Sequence, residues 1–193
     1  GGRSFSIWNG RNGELVRDYA DLERDLLMAN ASLYDDGRSD NKGDTWSANL
    51  ANAPGLPPST EVTPNSIAAY PANSNIVIMV YGGIAAGKKV YLSADAGANW
   101  VNISYNLPNV PINTVVMSAD AANTMYLGSD IGVFVTNDNR VNWLMYTNNL
   151  PVTRIYDLEI NTAASPDRIF AGTFGRGVFS AETYTGCSSS ADL

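Results

Sequence analysis

The sequence predicts an all-β fold made of β-propeller-type blades, each a four-stranded antiparallel meander. The first observation is a box of the form Ser-x-Asp-x-Gly-x-x-Trp at residues 93–100, directly behind the apolar residues 90–92. The second is its recurrence: a related box ends at Trp143, which is 43 residues after Trp100, and a third ends at Trp46. A repeat of about 40–50 residues that holds several short strands has the size of one propeller blade.

Each box is predicted to be a tight turn held by its own side chains. Asp and Asn side chains commonly accept hydrogen bonds from their own turn, and Gly97 allows a positive φ. We therefore expect Asp95 and Asp138 to bond within their hairpins, and Trp100 and Trp143 to be at least half buried. The box positions are Ser39, Asn41, Gly43 and Trp46, then Ser93, Asp95, Gly97 and Trp100, then Thr136, Asp138 and Trp143.

These boxes resemble those of the Asp-box (bacterial neuraminidase repeat) β-propeller proteins, which include sialidases, sortilin-type domains and xyloglucan-cleaving glycoside hydrolases. Residues 126–134 and 171–179 are most similar to the large secreted members from Bacteroidota, and the resemblance covers residues 39–182. It implies an extracellular or cell-surface location. It also implies that each box is a structural turn at the outer edge of a blade, remote from any active site.

The N-terminal part follows a different pattern. Residues 1–43 resemble secreted propeller proteins of the choice-of-anchor type, although residues 44–46 lack the acidic, Pro- and Glu-rich run of that group, which argues against phosphatase or phytase activity. Residues 1–38 are predicted to form a separate segment with two short strands, followed by one short amphipathic helix over residues 18–29.

The repeats are predicted to occupy residues 39–182, and residues 183–193 a Ser-rich linker to a further domain. Residues 76–81 are almost continuously apolar, so we expect a strand covered on both faces. The glycine-rich residues 82–89 approach a phosphate-binding loop, but Lys89 replaces the required hydroxyl residue, which favours a hairpin. Because propellers need about four to eight blades to close, the sequence predicts an incomplete ring that depends on other blades, chains or domains.

Composition excludes several kinds of function. The net charge of −7 and a pI near 4.4 argue against a nucleic-acid partner. No apolar run approaches the roughly 20 residues that span a bilayer. The chain has no His, which excludes Ser-His-Asp systems and His-ligated zinc, and we expect no metal or cofactor. The single Cys187 cannot form an internal disulfide. Since the chain begins at Gly1 without a signal peptide, we expect it to be cut from a longer precursor.

Candidate catalytic residues are the carboxylates outside the boxes, because glycoside hydrolysis needs two carboxyl groups about 5–10 Å apart. Asp130 precedes Gly132 in a turn, where a structural Asp is common, and Asp157 and Glu159 share one face of a predicted strand. Asp35 and Asp36 form a looser carboxylate pair. Arg154, Arg168 and Arg176 are candidates for a sialidase-like clamp of three arginines. Tyr19, Tyr105 and Tyr146 could stack on sugars.

Three functions stay open. We expect first a secreted or cell-surface recognition or scaffold module that binds glycans or surface proteins. The alternative is part of a glycoside hydrolase of xyloglucanase or sialidase type, and the third is a structural subunit of an extracellular assembly. Whether this chain is an enzyme is therefore undecided. A convergent carboxylate pair in a cleft would favour the enzyme, whereas aromatic platforms without such a pair would favour binding.

Overall fold

The computed structural model of this protein describes residues 4–9, 14–20, 27–30, 36–39, 45, 53–58, 61–120, 124–137, 142–147 and 150–186. Within these ranges the regular elements are fifteen β-strands, and none is a helix. The chain is therefore all-β, as its sequence predicts. The same ranges contain no helix long and apolar enough to cross a membrane.

The first four strands form a sheet of their own. They are β1 (Ser4–Asn9), β2 (Glu14–Ala20), β3 (Leu27–Asn30) and β4 (Asp36–Ser39), in the order β2-β1-β3-β4. The two strands expected near the N-terminus are thus present as the antiparallel pair β1 and β2. However, β1 pairs with β3 in parallel through Asn9 and Asn30, so this sheet is mixed and not an antiparallel meander.

The helix predicted for residues 18–29 is not found where the structure describes that segment. Residues 18–20 end β2 and residues 27–29 begin β3, while residues 21–26 lie outside the described residues. Amphipathic spacing is a weak local preference that pairing with a neighbouring strand overrides. Here β1 supplies that partner, since Ser4 pairs with Ala20 and Ser6 with Asp18.

Three blades follow. The first blade is an antiparallel meander of β5 (Pro64–Tyr70), β6 (Asn73–Tyr81), β7 (Val90–Ser93) and β8 (Val101–Asn102). The second blade repeats it with β9 (Ile112–Met117), β10 (Met125–Ser129), β11 (Gly132–Thr136) and β12 (Leu144–Tyr146). The third blade consists of β13 (Ile155–Asn161), β14 (Arg168–Thr173) and β15 (Gly177–Glu182), and the described residues supply no fourth strand.

The blades stack face to face, with their first strands side by side. Strand β9 lies next to both β5 and β13. One apolar core lies between the first and second blades, where Val80 packs in the same cluster as Leu127. Another lies between the second and third blades, where Tyr126 shares a cluster with Leu158. Within the described residues the three blades follow one another as the blades of a propeller do.

Strand β6 shows why the middle strands are apolar throughout. Ile78 and Val80 belong to the core shared with the second blade, whereas Val77 and Met79 belong to a separate cluster on the opposite face. Ala53, Leu56 and Val62 pack in that second cluster and so cover the opposite face. The expectation that residues 76–81 are buried on both faces is therefore correct.

Candidate functional site

The turn at residues 93–100 is closed by its own side chains. Asp95 accepts hydrogen bonds from the amide of Asn99 at 2.8 Å and from Asn99 Nδ2 at 2.7 Å, and Ser93 Oγ donates to it at 2.8 Å. Gly97, at a φ of +91°, donates its N–H to Ser93 Oγ. The bonds from Asn99 and Ser93 lower the pKa of Asp95. A carboxylate held in its ionised form suits a structural acceptor and not a general acid.

The Trp of each described box ties its turn to the preceding loop. Trp100 is buried, and its amide donates to the carbonyl of Pro54 at 2.8 Å. Trp143 is buried as well; its indole N–H donates to the carbonyl of Ile103 at 2.8 Å, and its amide donates to Asn106 Oδ1 at 2.8 Å. Trp143 therefore joins the second blade to the loop that follows β8 of the first, and Trp100 joins the first blade to Pro54.

The remaining box positions are described only in part. Thr136 is buried at the end of β11, and Ser39 is the last residue of β4. The other positions lie outside the described residues: Asn41, Gly43, Trp46 and Asp138.

A polar cluster lies where the second and third blades meet, beside the turn from β10 to β11. Arg154 Nη2 lies 2.7 Å from Asp130 Oδ2, and Asn113 Nδ2 donates to Asp130 Oδ1 at 2.9 Å. Hydrogen bonds from Arg154 to Asp130 and to Tyr156 raise the pKa of the guanidinium. We call Asn113, Asp130 and Arg154 the polar seam.

Two exposed aromatic rings extend the polar seam. Tyr156 is 53% exposed and Phe174 is 65% exposed, and their ring centroids lie 5.9 Å apart at an interplanar angle of 69°. The amide of Phe174 donates to the carbonyl of Arg154 at 2.9 Å, which places the rings beside the seam. Neighbouring exposed rings of this size are typical of binding surfaces. We call Tyr156 and Phe174 the aromatic platform.

The candidate catalytic carboxylates lie on two elements. Asp130 is engaged by Arg154 and Asn113 in the polar seam. Asp157 and Glu159 are exposed in β13 and alternate with Leu158, which packs against the second blade, so both face away from that blade. Two positions on one side of one strand line a substrate instead of flanking it. Of the looser pair, Asp36 begins β4 and Asp35 lies outside the described residues.

The three candidate arginines do not converge. Arg154 belongs to the polar seam, and Arg176 lies in the turn from β14 to β15, between two glycines of positive φ. Arg168 begins the six-residue strand β14 and donates to Ser180 Oγ at 3.0 Å. At about 3.3 Å per residue it lies roughly 17 Å along that strand from the turn. The described residues therefore form no three-arginine clamp.

The glycine-rich residues 82–89 form a hairpin, as expected, and its last lysine points inward. Lys89 is fully buried and donates from Nζ to the carbonyl of Gly83 at 2.8 Å, and burial lowers its pKa. Lys88 forms an ion pair with Glu61. In a phosphate-binding loop the lysine position would be that of Lys88, which is paired with Glu61 here, and the hydroxyl position is occupied by the buried Lys89.

The platform was not among the sequence candidates. Tyr105 is 56% exposed on a separate loop, and Tyr146 packs against Tyr126 and Tyr184, while Tyr19 lies in β2. A signal for the platform exists in the alignment of the repeats. Where the second repeat has the polar residues Asn113 and Asp130, the third has Tyr156 and Phe174.

No family model matches the chain, and no curated protein matches it. Among solved structures the chain is similar to a GH74 xyloglucanase from Xanthomonas campestris, with a TM-score of 0.51 and 17% identity over 76% of this chain. An ancestral GH74 enzyme gives a TM-score of 0.45 and 19% identity over 78% of this chain. The chain spans 25% and 23% of their lengths. The first similarity shows the fold alone and agrees with propeller-type blades.

Within the residues that the structure describes, no group of three or more Cys, Asp or Glu side chains could hold a metal ion. The chemistry of the candidate site is therefore that of its aromatic rings, one ion pair and one amide. Such groups can stack on a ligand and hydrogen-bond to it.

Proposed function

We propose that this chain is a glycan-binding recognition module of a secreted or cell-surface protein, with the aromatic platform and the polar seam as its sugar-contacting surface. The observation that carries the proposal is the exposed Tyr156–Phe174 pair beside the Arg154–Asp130 ion pair. Ligand sites combine apolar, aromatic surface with a few fixed polar groups. Here the rings offer stacking surfaces for sugar rings, and the seam offers donors and acceptors for hydroxyl groups.

A neutral β-glucan of the xyloglucan type is the ligand class that we propose. The chain carries a net charge of −7, which disfavours an acidic polysaccharide. Within the seam, Arg154 and Asp130 compensate each other's charge, so the surface does not need a charged ligand. The similarity to a structure described as a xyloglucanase supports this choice of glycan. Membership of the Asp-box propellers of Bacteroidota type, and an extracellular location, are part of the same proposal.

Binding is tested by affinity gel electrophoresis and titration calorimetry with soluble xyloglucan. The double variant Tyr156→Ala/Phe174→Ala should weaken binding at least about tenfold, the equivalent of roughly 1.4 kcal/mol. Tyr105→Ala is the matched control, because Tyr105 is exposed to a similar extent on a different loop. Undiminished binding by the double variant, or an equal loss in the control, would contradict the assignment of the platform.

A glycoside hydrolase is the second candidate. The observation that favours it is the position of Asp157 and Glu159, which are exposed and follow Tyr156 in the same strand. This candidate requires turnover and not only binding.

A further inference from the structure

A cavity of about 430 Å³ lies between the second and third blades, on the side where β15 ends the third sheet. This volume lies within the range of about 300–1,000 Å³ that is usual for ligand sites. The wall comes from both blades and is mixed in character. Its apolar part is formed by Val133, Tyr146, Leu150, Ile169, Ala171 and Phe179, and its polar part by Thr147, Arg168, Ser180 and Glu182.

The corresponding space between the first and second blades is filled by a Trp side chain. Trp143 is buried there, with its indole N–H on the carbonyl of Ile103. The apolar residues of the same core cluster include Val90, Ile103, Leu107, Met125, Leu127 and Phe134. After Trp143 comes β12, which pairs with β11 as the fourth strand of its blade.

The two spaces are equivalent position by position. Trp143 follows Trp100 by 43 residues, and the same interval relates residues that line the two spaces. Val90, Ile103 and Leu107 line the filled space, and the residues 43 positions later, Val133, Tyr146 and Leu150, line the cavity. The other walls match by strand pairing. Leu127 pairs with Phe134 across β10 and β11, and Ala171 pairs with Phe179 across β14 and β15.

Residues 144–193 contain no Trp and no further box, so none of them corresponds to Trp143 in the third blade. Instead the amide of Tyr184 donates to the hydroxyl of Tyr126, so the chain leaves β15 towards the second blade. In the described residues the main chain of β15 pairs with β14 alone, and the carbonyl of Glu182 accepts a hydrogen bond from the hydroxyl of Tyr146. A free strand edge is a template for pairing with another chain.

We propose that the cavity and the edge of β15 together bind an extended polypeptide segment from outside residues 1–193, in which a Trp stands immediately before a strand. The Trp occupies the cavity as Trp143 occupies its equivalent. The residues after it pair antiparallel with β15 and complete the blade as a fourth strand. Main-chain hydrogen bonds then contribute affinity, and the indole contributes specificity.

A synthetic peptide copying residues 93–104 is the probe, because it contains the self-bonded Asp95 turn, Trp100 and the strand that follows. Titration of the full chain with this peptide should give a Kd below about 1 mM, and the peptide with Trp100→Ala should bind at least about tenfold more weakly. Hydrogen exchange should slow at amides of β15 when the peptide is added. In the protein, Ala171→Leu introduces the residue found at the equivalent Leu127, fills part of the cavity and should also weaken binding at least about tenfold.

Several results would overturn the proposal. They are the absence of binding at millimolar peptide, equal binding by the Trp and Ala peptides, and unchanged exchange in β15. Since the comparison of the two peptides uses the unaltered protein, it holds even if Ala171→Leu does not fold. If the chain alone dimerises and Ala171→Leu abolishes the dimer, the bound segment comes from a second copy of this chain, which would overturn the proposed source of the segment. The xyloglucan experiment concerns other residues, so either test can fail without the other.

Discussion

The side-chain amide of Asn113 donates a hydrogen bond to the main-chain carbonyl of Ile155 at 3.1 Å and so joins the first strands of two successive blades. The same bond occurs one blade earlier, where Asn65 donates to the carbonyl of Ile112 at 2.9 Å. Both isoleucines are fully buried. A buried carbonyl that loses its partner costs free energy, so this repeated bond holds the blades in register.

Replacing Asn113 by Ala should lower the free energy of unfolding by about 1–2 kcal/mol, because the Ile155 carbonyl loses its donor. The change is measured as a lower midpoint of urea denaturation, with the dependence of the unfolding free energy on urea concentration unchanged. Asn109→Ala is the control, since Asn109 is exposed in a loop, and its effect should stay within about 0.5 kcal/mol. Equal midpoints for the two variants would show that the bond between the blades does not stabilise the stack.

Asp95 should give the protein an acid-sensitive contribution to stability. Hydrogen bonds from Asn99 and Ser93 hold the folded-state pKa of Asp95 below its ordinary value of 3.8. The contribution is therefore present above the unfolded-state pKa and is lost as the pH falls through the folded one. Asp95→Asn should show a shallower loss of stability than the wild type between about pH 5 and pH 2. At neutral pH, Asp95→Ala should cost about 1 kcal/mol. Parallel acid profiles for wild type and Asp95→Asn would contradict this.

Lys89 should have the opposite dependence on pH. Burial holds its pKa below the ordinary 10.5, so the unfolded chain binds the proton more tightly. Stability therefore rises with pH through the window between the folded pKa and 10.5. Lys89→Met should be more stable than the wild type at neutral pH, because it removes a buried charge, and the advantage should shrink near pH 10. Urea denaturation at both pH values measures this, with the partly exposed Lys88→Met as control. An advantage independent of pH would exclude the charge as its cause.

The boxes allowed much of the fold to be predicted, because the contacts that close each turn join residues close together in the sequence. Asp95 bonds to Asn99 only four residues away, and Trp100 follows within the same hairpin. Such short-range chemistry leaves a pattern that recurs along the chain. The segment of residues 18–29 has no such marker. Its helical spacing failed at residues 18–20 and 27–29, where pairing with other strands decides the structure.

The aromatic platform could not be found by reading one strand at a time. Tyr156 and Phe174 meet only because β13 and β14 pair, and the seam beside them requires Arg154 to reach Asp130 in another blade. In the described residues the third blade has three strands, β13 to β15. No box follows β15 in the sequence, whereas β8 and β12 each follow a box Trp directly.

The last prediction separates binding from hydrolysis. The 193-residue chain should show no xyloglucan cleavage faster than about 1 per second, which is the lower end of ordinary enzyme rates. Asp130 is held by Arg154 and Asn113, and Asp157 and Glu159 lie on one side of a single strand, so no described pair flanks a glycosidic bond. Reducing-sugar release from xyloglucan and related β-glucans, and sialic-acid release from a fluorogenic substrate, measure the activity. If turnover exceeds that rate and disappears in Asp157→Asn or Glu159→Gln, hydrolysis is the primary function. If only Asp95→Asn abolishes the turnover, the cause is a disturbed fold and not a missing catalytic group.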